Sequence, residues 1–306
     1  MKRAIITGAT GAVGTALTKE LIKNDIEVLV FCREGSERNT RIPQHHLINI
    51  KYCDISQLES VENDTGKQYD VFYHFAWKGT TGSGRNDMYM QNSNVKYALD
   101  AVGAAKRFGC KMFIGAGSQA EYGRFEGKLN SNTPTFPENC YGMAKLCAGQ
   151  MTRVYAESLN LKHIWVRILS VYGINDGMQS MVMSTILKLK NGEMPQFTKG
   201  EQMWDYLYND DAAKAFRLLG ESKISGKTYV LGSGKARPLS EYIEEIRKTV
   251  NDKASINLGA IEYAKNQVMY LCADTSDLEK DIGWRAETDF KTGIKSIYDA
   301  LRRRKI

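Results

Sequence analysis

Tyr141 and Lys145 stand four residues apart in the segment Tyr-Gly-Met-Ala-Lys. On a helix this spacing puts a phenol and an ammonium on one face. A nearby positive charge favours the phenolate and lowers the phenol pKa. Such a pair suits general acid/base work, moving a proton between an alcohol and a ketone. Ser118 closes a short apolar run in Gly-Ala-Gly-Ser-Gln-Ala-Glu-Tyr-Gly, residues 115–123. The carboxyl end of a parallel strand is where open α/β sheets bind ligands, and a serine there can hydrogen-bond a reacting oxygen. A lone Tyr-Lys spacing or loop serine is commonplace. These three residues gain weight from what precedes them in the chain.

Gly8-Ala9-Thr10-Gly11-Ala12-Val13-Gly14 begins eight residues into the chain, after one strand and before one helix. Glycines let a backbone turn tightly and approach a pyrophosphate, and a helix N-terminus offers free N–H groups with partial positive charge. In that context the spacing predicts dinucleotide binding through Gly8, Thr10, Gly11, Ala12, Val13 and Gly14. An NAD binder usually carries an acid at the end of the second strand, for the ribose 2′-OH. Here Cys32 and Arg33 stand there. A guanidinium can grip a 2′-phosphate, with Ser36 or Arg38 assisting, which favours NADP over NAD. NAD bound without the acid, beside a solvated Arg33, is the alternative. Asp54, before Ile55, either accepts from the adenine amino group or caps a turn. The charge of an oxidised nicotinamide would add to that of Lys145 in lowering the Tyr141 pKa.

Positioning these residues requires a parallel sheet. Apolar, β-branched runs at 4–7, 27–31, 49–53, 70–75, 111–115 and 162–169 read as strands. Helical patterns at 13–23, 85–108 and 141–158 alternate with them. The alternation predicts a Rossmann-type α/β fold, a doubly wound parallel sheet covered on both faces. Residues 1–173 form the expected dinucleotide-binding portion. Residues 174–306 form a smaller, mixed α/β substrate-binding portion, with about 204–232 returning to the first. Within it, 178–190, 210–219, 239–250 and 292–301 read as helices and 204–208 as a strand.

A chain of 306 residues can bury a substantial core. No apolar run nears the roughly 20 residues that cross a bilayer, and the glycine loop begins too early for a signal peptide. The six cysteines form no CxxC pair and the four histidines are scattered, so no metal site is expected. Unpaired thiols fit a cytoplasmic location. The net charge of +7, densest at residues 302–305, reads as a solvated surface. It lacks the basic-aromatic groove of a nucleic-acid binder.

Taken together, the motifs resemble the extended short-chain dehydrogenase/reductase family, the NAD-dependent epimerase/dehydratase group, along nearly the whole chain. Thr-Gly-Ala-Thr-Gly-Ala-Val-Gly at 7–14 matches its TGxxGxxG, and His74-Phe75-Ala76-Trp77 resembles its cofactor-lining H-[LF]-A-A. Asn94-Val95 resembles its N-x-x-G-T start, and Ser118 to Gly123 its S-x-x-x-Y-G. Residues 167–173 resemble R-x-x-N-x-Y-G, 204–211 resemble R-D-Y-x-H-V-x-D, and Asp274 onward resembles D-x-S…G-W-x-P. The resemblance implies Ser118, Tyr141 and Lys145 as the catalytic triad, with Phe75, Ala76, Trp77 and Asn94 on the cofactor. It also implies a nucleoside-diphosphate sugar substrate and a homodimer built on the helices at 85–108 and 141–158.

Lys78, Gln119, Glu121, Tyr122, Ser170, Met178 and Trp204 are the candidate substrate contacts, although Tyr122 and the methionines serve equally as packing. The departures are informative. Ser170 replaces an asparagine, Trp204 an arginine that in many members holds the diphosphate, and Ile174 a proline. Gln119-Ala120 stand where 4,6-dehydratases carry Asp-Glu, which weakens that reading. A 4-keto-6-deoxy sugar reductase is favoured, with a UDP-glucose 4-epimerase-like enzyme as the alternative. A non-catalytic dinucleotide-binding sensor, the third possibility, would be expected to lose a triad member.

Overall fold

The structure, a computed structural model, describes residues 1–303. Of the basic run at 302–305, Arg302 and Arg303 end the last helix, and the remainder lies outside the described residues. Seven parallel strands form the central sheet: β1 (Arg3–Thr7), β2 (Glu27–Cys32), β3 (Ile48–Tyr52), β4 (Val71–His74), β5 (Met112–Ser118), β6 (Lys162–Ile168) and β7 (Lys227–Leu231). Their spatial order is β7-β6-β5-β4-β1-β2-β3. The chain builds outward from β1 through β2 to β3, then returns to the other side of β1 with β4. The carboxyl ends of β1 and β4 therefore flank the point where winding reverses, where such sheets open a crevice.

Successive strand residues face opposite sides, and both sides are covered. Ile6, Val28, Tyr73 and Ile114 face a cluster with Leu17 of α1 (Ala12–Lys23) and Phe216. Ile5, Leu29, Phe72 and Phe113 face a second with Ala101 and Ala105 of α2 (Met88–Arg107). Ile5 and Ile6 have no exposed surface, and burying each side chain contributes about 1.5–3 kcal/mol. Beside α2 lies α3 (Cys140–Ser158), and beside α1 lies α5 (Asn209–Glu221). A third cluster joins α4 (Met181–Lys190), α6 (Leu239–Val250) and α8 (Phe290–Arg303) through Ile186, Ile246 and Ile294. A short α7 (Ser276–Ile282) precedes α8. Among the described residues no helix is long and apolar enough to cross a membrane.

Several sequence expectations need correction. The helix expected from residue 85 starts at Met88, because the Asp87 side chain accepts from Met90 N and caps it, and residues 82–86 form a 3-10 turn. The helix expected from 178 starts at Met181, capped by Ser180, so Met178 precedes it. The strand expected over 204–208 is split into Met203–Trp204 and Tyr206–Tyr208. Asp205 lies between them, fully buried, accepting from Ser233 N and Oγ, Gly234 N and Ala273 N at 2.6–3.0 Å. Four donors repay the desolvation of a buried carboxylate and tie three distant segments together. The edge strand β7 was not anticipated as a separate strand.

Candidate active site

The glycine loop joins β1 to α1. Gly8 has φ +75°, and a Cβ there would lie 2.7 Å from Ala76 N and 2.8 Å from Phe75 C. Only glycine allows the loop after β1 to touch the segment after β4. Gly14 meets the Gly8 carbonyl as closely, while Gly11 faces open space apart from that carbonyl at 3.6 Å. The first turn of α1 has no acidic residue, and its N-cap, Gly11, makes no side-chain cap. Ala12 and Val13 thus present uncapped N–H groups beside an open glycine face. These features fit a dinucleotide's pyrophosphate. Thr10 is partly exposed, and its carbonyl accepts from Arg41, which also donates to Asn175 O, both at 3.3 Å.

At the end of β2, the Arg33 side chain is two-thirds exposed and 4.0 Å from the Asp54 carboxylate. Asp54 caps the turn Ile55–Gln57, accepting from Ser56 N at 3.0 Å and from Ser56 Oγ at 2.7 Å. Burial pushes its pKa up, but the Ser56 hydrogen bonds and the Lys78 ammonium outweigh burial and hold it below the ordinary range. Ile55 packs at the edge of the second core cluster. Lys78, expected near the sugar, reaches Asp54 at 3.2 Å instead. After β4, Phe75 packs edge-on against Phe216. Ala76 N donates to Thr7 Oγ1 at 3.3 Å.

Trp77 opens a strap running to Asn86. Gln91, one turn before Asn94 on α2, accepts from the Trp77 indole at 2.8 Å and donates to the Gly79 and Gly84 carbonyls at 2.9 and 2.8 Å. Buried Asn94 accepts from Lys78 N at 3.0 Å and donates to Lys78 O at 2.8 Å. Asn94 thus shapes the loop beside the crevice. Gln91 was missed in the sequence, although it shares a helix face with Asn94.

Tyr141 is the second residue of α3, and Ser118 ends β5. A Cβ at Gly142 would lie 2.2 Å from the Ala120 carbonyl, so its absence lets the helix start close on the turn after Ser118. The Ser118 hydroxyl accepts from Ala120 N at 3.2 Å, beside the Tyr141 phenol. Burial pushes the Tyr141 pKa up; the Ser118 hydrogen bond and the Arg85 charge pull it back only in part. The lowering expected from the Tyr-Lys spacing is therefore not present in the protein alone. Lys145 explains why. Its ammonium is buried, donates to Ala116 O at 2.7 Å and lies 3.7 Å from the centre of the Trp77 ring. Burial pulls its pKa down to about 7, against the opposing pull of Glu121. His74, behind it, is driven down to about 3 by burial and by the Lys145 charge.

Glu121 and Tyr122 are buried, not exposed beside Ser118. The Glu121 carboxylate has no exposed surface; it accepts from Ser118 N at 2.8 Å, Trp165 Nε1 at 3.0 Å and Arg167 Nε at 2.7 Å. It therefore supports Ser118 from beneath. Tyr122 is buried under the Arg167 guanidinium and donates to Asn130 O at 2.7 Å. Gln119, between them and Ser118, stays partly exposed. The structure brings Ser170 and Trp204 together: the indole donates to Ser170 Oγ at 2.8 Å. Met178 is half-exposed.

The NAD dependent epimerase/dehydratase family matches residues 4–232. CDP-abequose synthase of Salmonella muenchen is 26% identical over 302 residues, covering 97% of each chain. The dTDP-4-dehydro-6-deoxyglucose reductase of Escherichia coli is 24% identical over 318 residues, again covering 97% of each. Among solved structures, the UDP-N-acetylglucosamine 4-epimerase from Methanobrevibacter ruminantium M1, in complex with UDP-N-acetylmuramic acid, shares the fold. Its TM-score is 0.89 at 22% identity, over 99% of both chains.

Proposed function

This chain belongs to the NAD dependent epimerase/dehydratase family, and we propose that it reduces a 4-keto-6-deoxy sugar carried on a nucleoside diphosphate, using NADPH in preference to NADH. The observation that carries the reading is the convergence of Ser118, at the carboxyl end of β5, on the Tyr141 phenol, with the buried Lys145 ammonium on the same helix face. When bound, the nicotinamide supplies hydride to the sugar carbon. Tyr141 gives its phenolic proton to the C4 oxygen, and Ser118 holds that oxygen in hydrogen-bond reach. Lys145 would hold the nicotinamide ribose and favour the phenolate left behind. Gln119-Ala120 offer no acid-base pair for eliminating water. Arg33, exposed at the end of β2, supports the choice of NADPH.

A nucleotide-sugar 4-epimerase with firmly held NAD would use the same three residues. Its closeness in fold to a solved 4-epimerase keeps that reading in view. Mass spectrometry of ligand released from the purified protein separates the two: retained NAD means the epimerase, an empty site the reductase. Turnover is followed by nicotinamide absorbance on 4-keto-6-deoxy nucleotide sugars, alongside coupled epimerisation of UDP-sugars. Tyr141→Phe should cost about 10²–10⁴ in rate and leave dinucleotide binding intact. Near-wild-type turnover by that variant would remove the assigned role.

Assembly is proposed as a homodimer through α2 and α3. An exposed stripe of Met143, Cys147, Met151 and Val154 on α3 supports it. Light scattering that reports a monomer at micromolar concentration would refute it.

A further inference from the structure

We infer that Arg85, on the strap between β4 and α2, is a positioning residue that sets a cation against Tyr141 and favours its phenolate. This rests on the proposed role of Tyr141, and its geometry is independent of the sugar.

The Arg85 guanidinium lies 4.4 Å from the centre of the Tyr141 ring. A cation at that distance interacts directly with the ring and favours the phenolate. Two clamps fix its place. Gln91 holds the Gly79 and Gly84 carbonyls on either side of the strap's turn. Asn86, the next residue, accepts from Cys140 N at 3.2 Å, at the start of the helix that bears Tyr141. Arg85 itself donates to Thr80 O at 3.1 Å, and among the described residues no carboxylate is within ion-pair distance of it. Its charge is therefore not spent on a salt bridge.

Every element packed on Tyr141 supplies a group. Ser118 comes from the end of β5, Glu121 from the turn after it, Trp77 and Arg85 from the strap, and Lys145 from Tyr141's own helix. Glu121 opposes the phenolate, and Ser118 carries no charge. Lys145 lies farther away, 5.8 Å from the ring centre, and faces the Trp77 ring and the Ala116 carbonyl. It is only partly charged near neutral pH, with a pKa down to about 7. A guanidinium keeps its charge throughout the working range. Arg85 is thus the permanent cation beside the proton donor.

The test compares full-length wild type, Arg85→Lys and Arg85→Leu. One arm follows tyrosinate absorbance against pH, with Tyr141→Phe as the blank. The other follows the pH profile of kcat/KM on whichever nucleotide sugar turns over. Loss of the cation in Arg85→Leu should raise the Tyr141 midpoint by about one pH unit, the lower end of the range for an adjacent charge. The corresponding limb of the kcat/KM profile should move up equally, in either reaction direction. Arg85→Lys, which keeps a cation, should recover most of the shift. A midpoint unchanged in Arg85→Leu overturns the inference; so does an equal shift in Arg85→Lys, which would mark a structural role. If no nucleotide sugar turns over, the proposed function fails while the absorbance arm still decides Arg85.

Discussion

Replacing Lys145 with methionine should make the protein more stable below pH 7, and that advantage should shrink as pH rises. The Lys145 pKa is down to about 7 in the folded protein, against about 10.4 for an unfolded lysine. Below pH 7 both states carry the proton, and the folded state bears the full cost of a buried ammonium. A difference of about 3.5 units is worth about 5 kcal/mol. The contact with the Trp77 ring offsets about 1–2 of this, leaving methionine ahead by about 3–4 kcal/mol. Between pH 7 and 10.4 the unfolded state binds one proton more than the folded, so wild-type stability rises by about 1.4 kcal/mol per pH unit. The gap should therefore close by about 2–3 kcal/mol between pH 7 and 9. Urea unfolding of both proteins at pH 6, 7.5 and 9, without added dinucleotide, measures it. A gap that stays constant from pH 6 to 9 would refute the reasoning, because it would mean that Lys145 does not lose its proton in the folded state. The same methionine variant should bind dinucleotide more weakly, the usual conflict between stability and a working site.

Glu121→Gln should destabilise the protein by about 3–5 kcal/mol in urea, since it leaves the buried Arg167 without its counter-charge. Gly142→Ala should lower turnover with Ser118, Tyr141 and Lys145 all intact, because its methyl group would push the start of α3 off the Ala120 carbonyl; unchanged kcat in a folded variant would count against that contact. Arg33→Ala should weaken NADP binding about tenfold or more and NAD binding little, read by fluorescence titration, in line with losing one charge-assisted phosphate contact; equal losses would show that Arg33 does not read the 2′-phosphate.

Features determined by nearby residues were legible in the sequence. Strands β1, β2 and β4 are apolar runs buried on both faces, so their positions followed within a residue or two. Tyr141 and Lys145 share a helix face by spacing alone, and Ser118 follows from the strand before it. The errors come from partners far apart in sequence. Glu121 reads as a polar residue close to Ser118, but Arg167, 46 positions later, draws it into the core. Lys78 turns to Asp54, 24 positions earlier, across the crevice. Asp205 breaks an apolar run because its four donors come from residues 233, 234 and 273. The short run at 227–231 shows no alternation that would mark an edge strand.

That edge strand bears on how the molecule can be re-engineered. β7 lies beside β6, in register from Lys227 opposite Ile164 to Leu231 opposite Ile168, and α5 rests against α1. The chain leaves the sheet after β6, builds part of the third cluster with α4, returns for α5 and β7, and leaves again for α6 and α8. A donor's chain from residue 174 onward cannot be grafted by one junction near residue 173. Such a chimera would supply a foreign edge strand and a foreign neighbour for α1. A transplant that respects this fold takes two separate inserts, one on each side of the returning segment, and keeps α5 and β7 from the recipient.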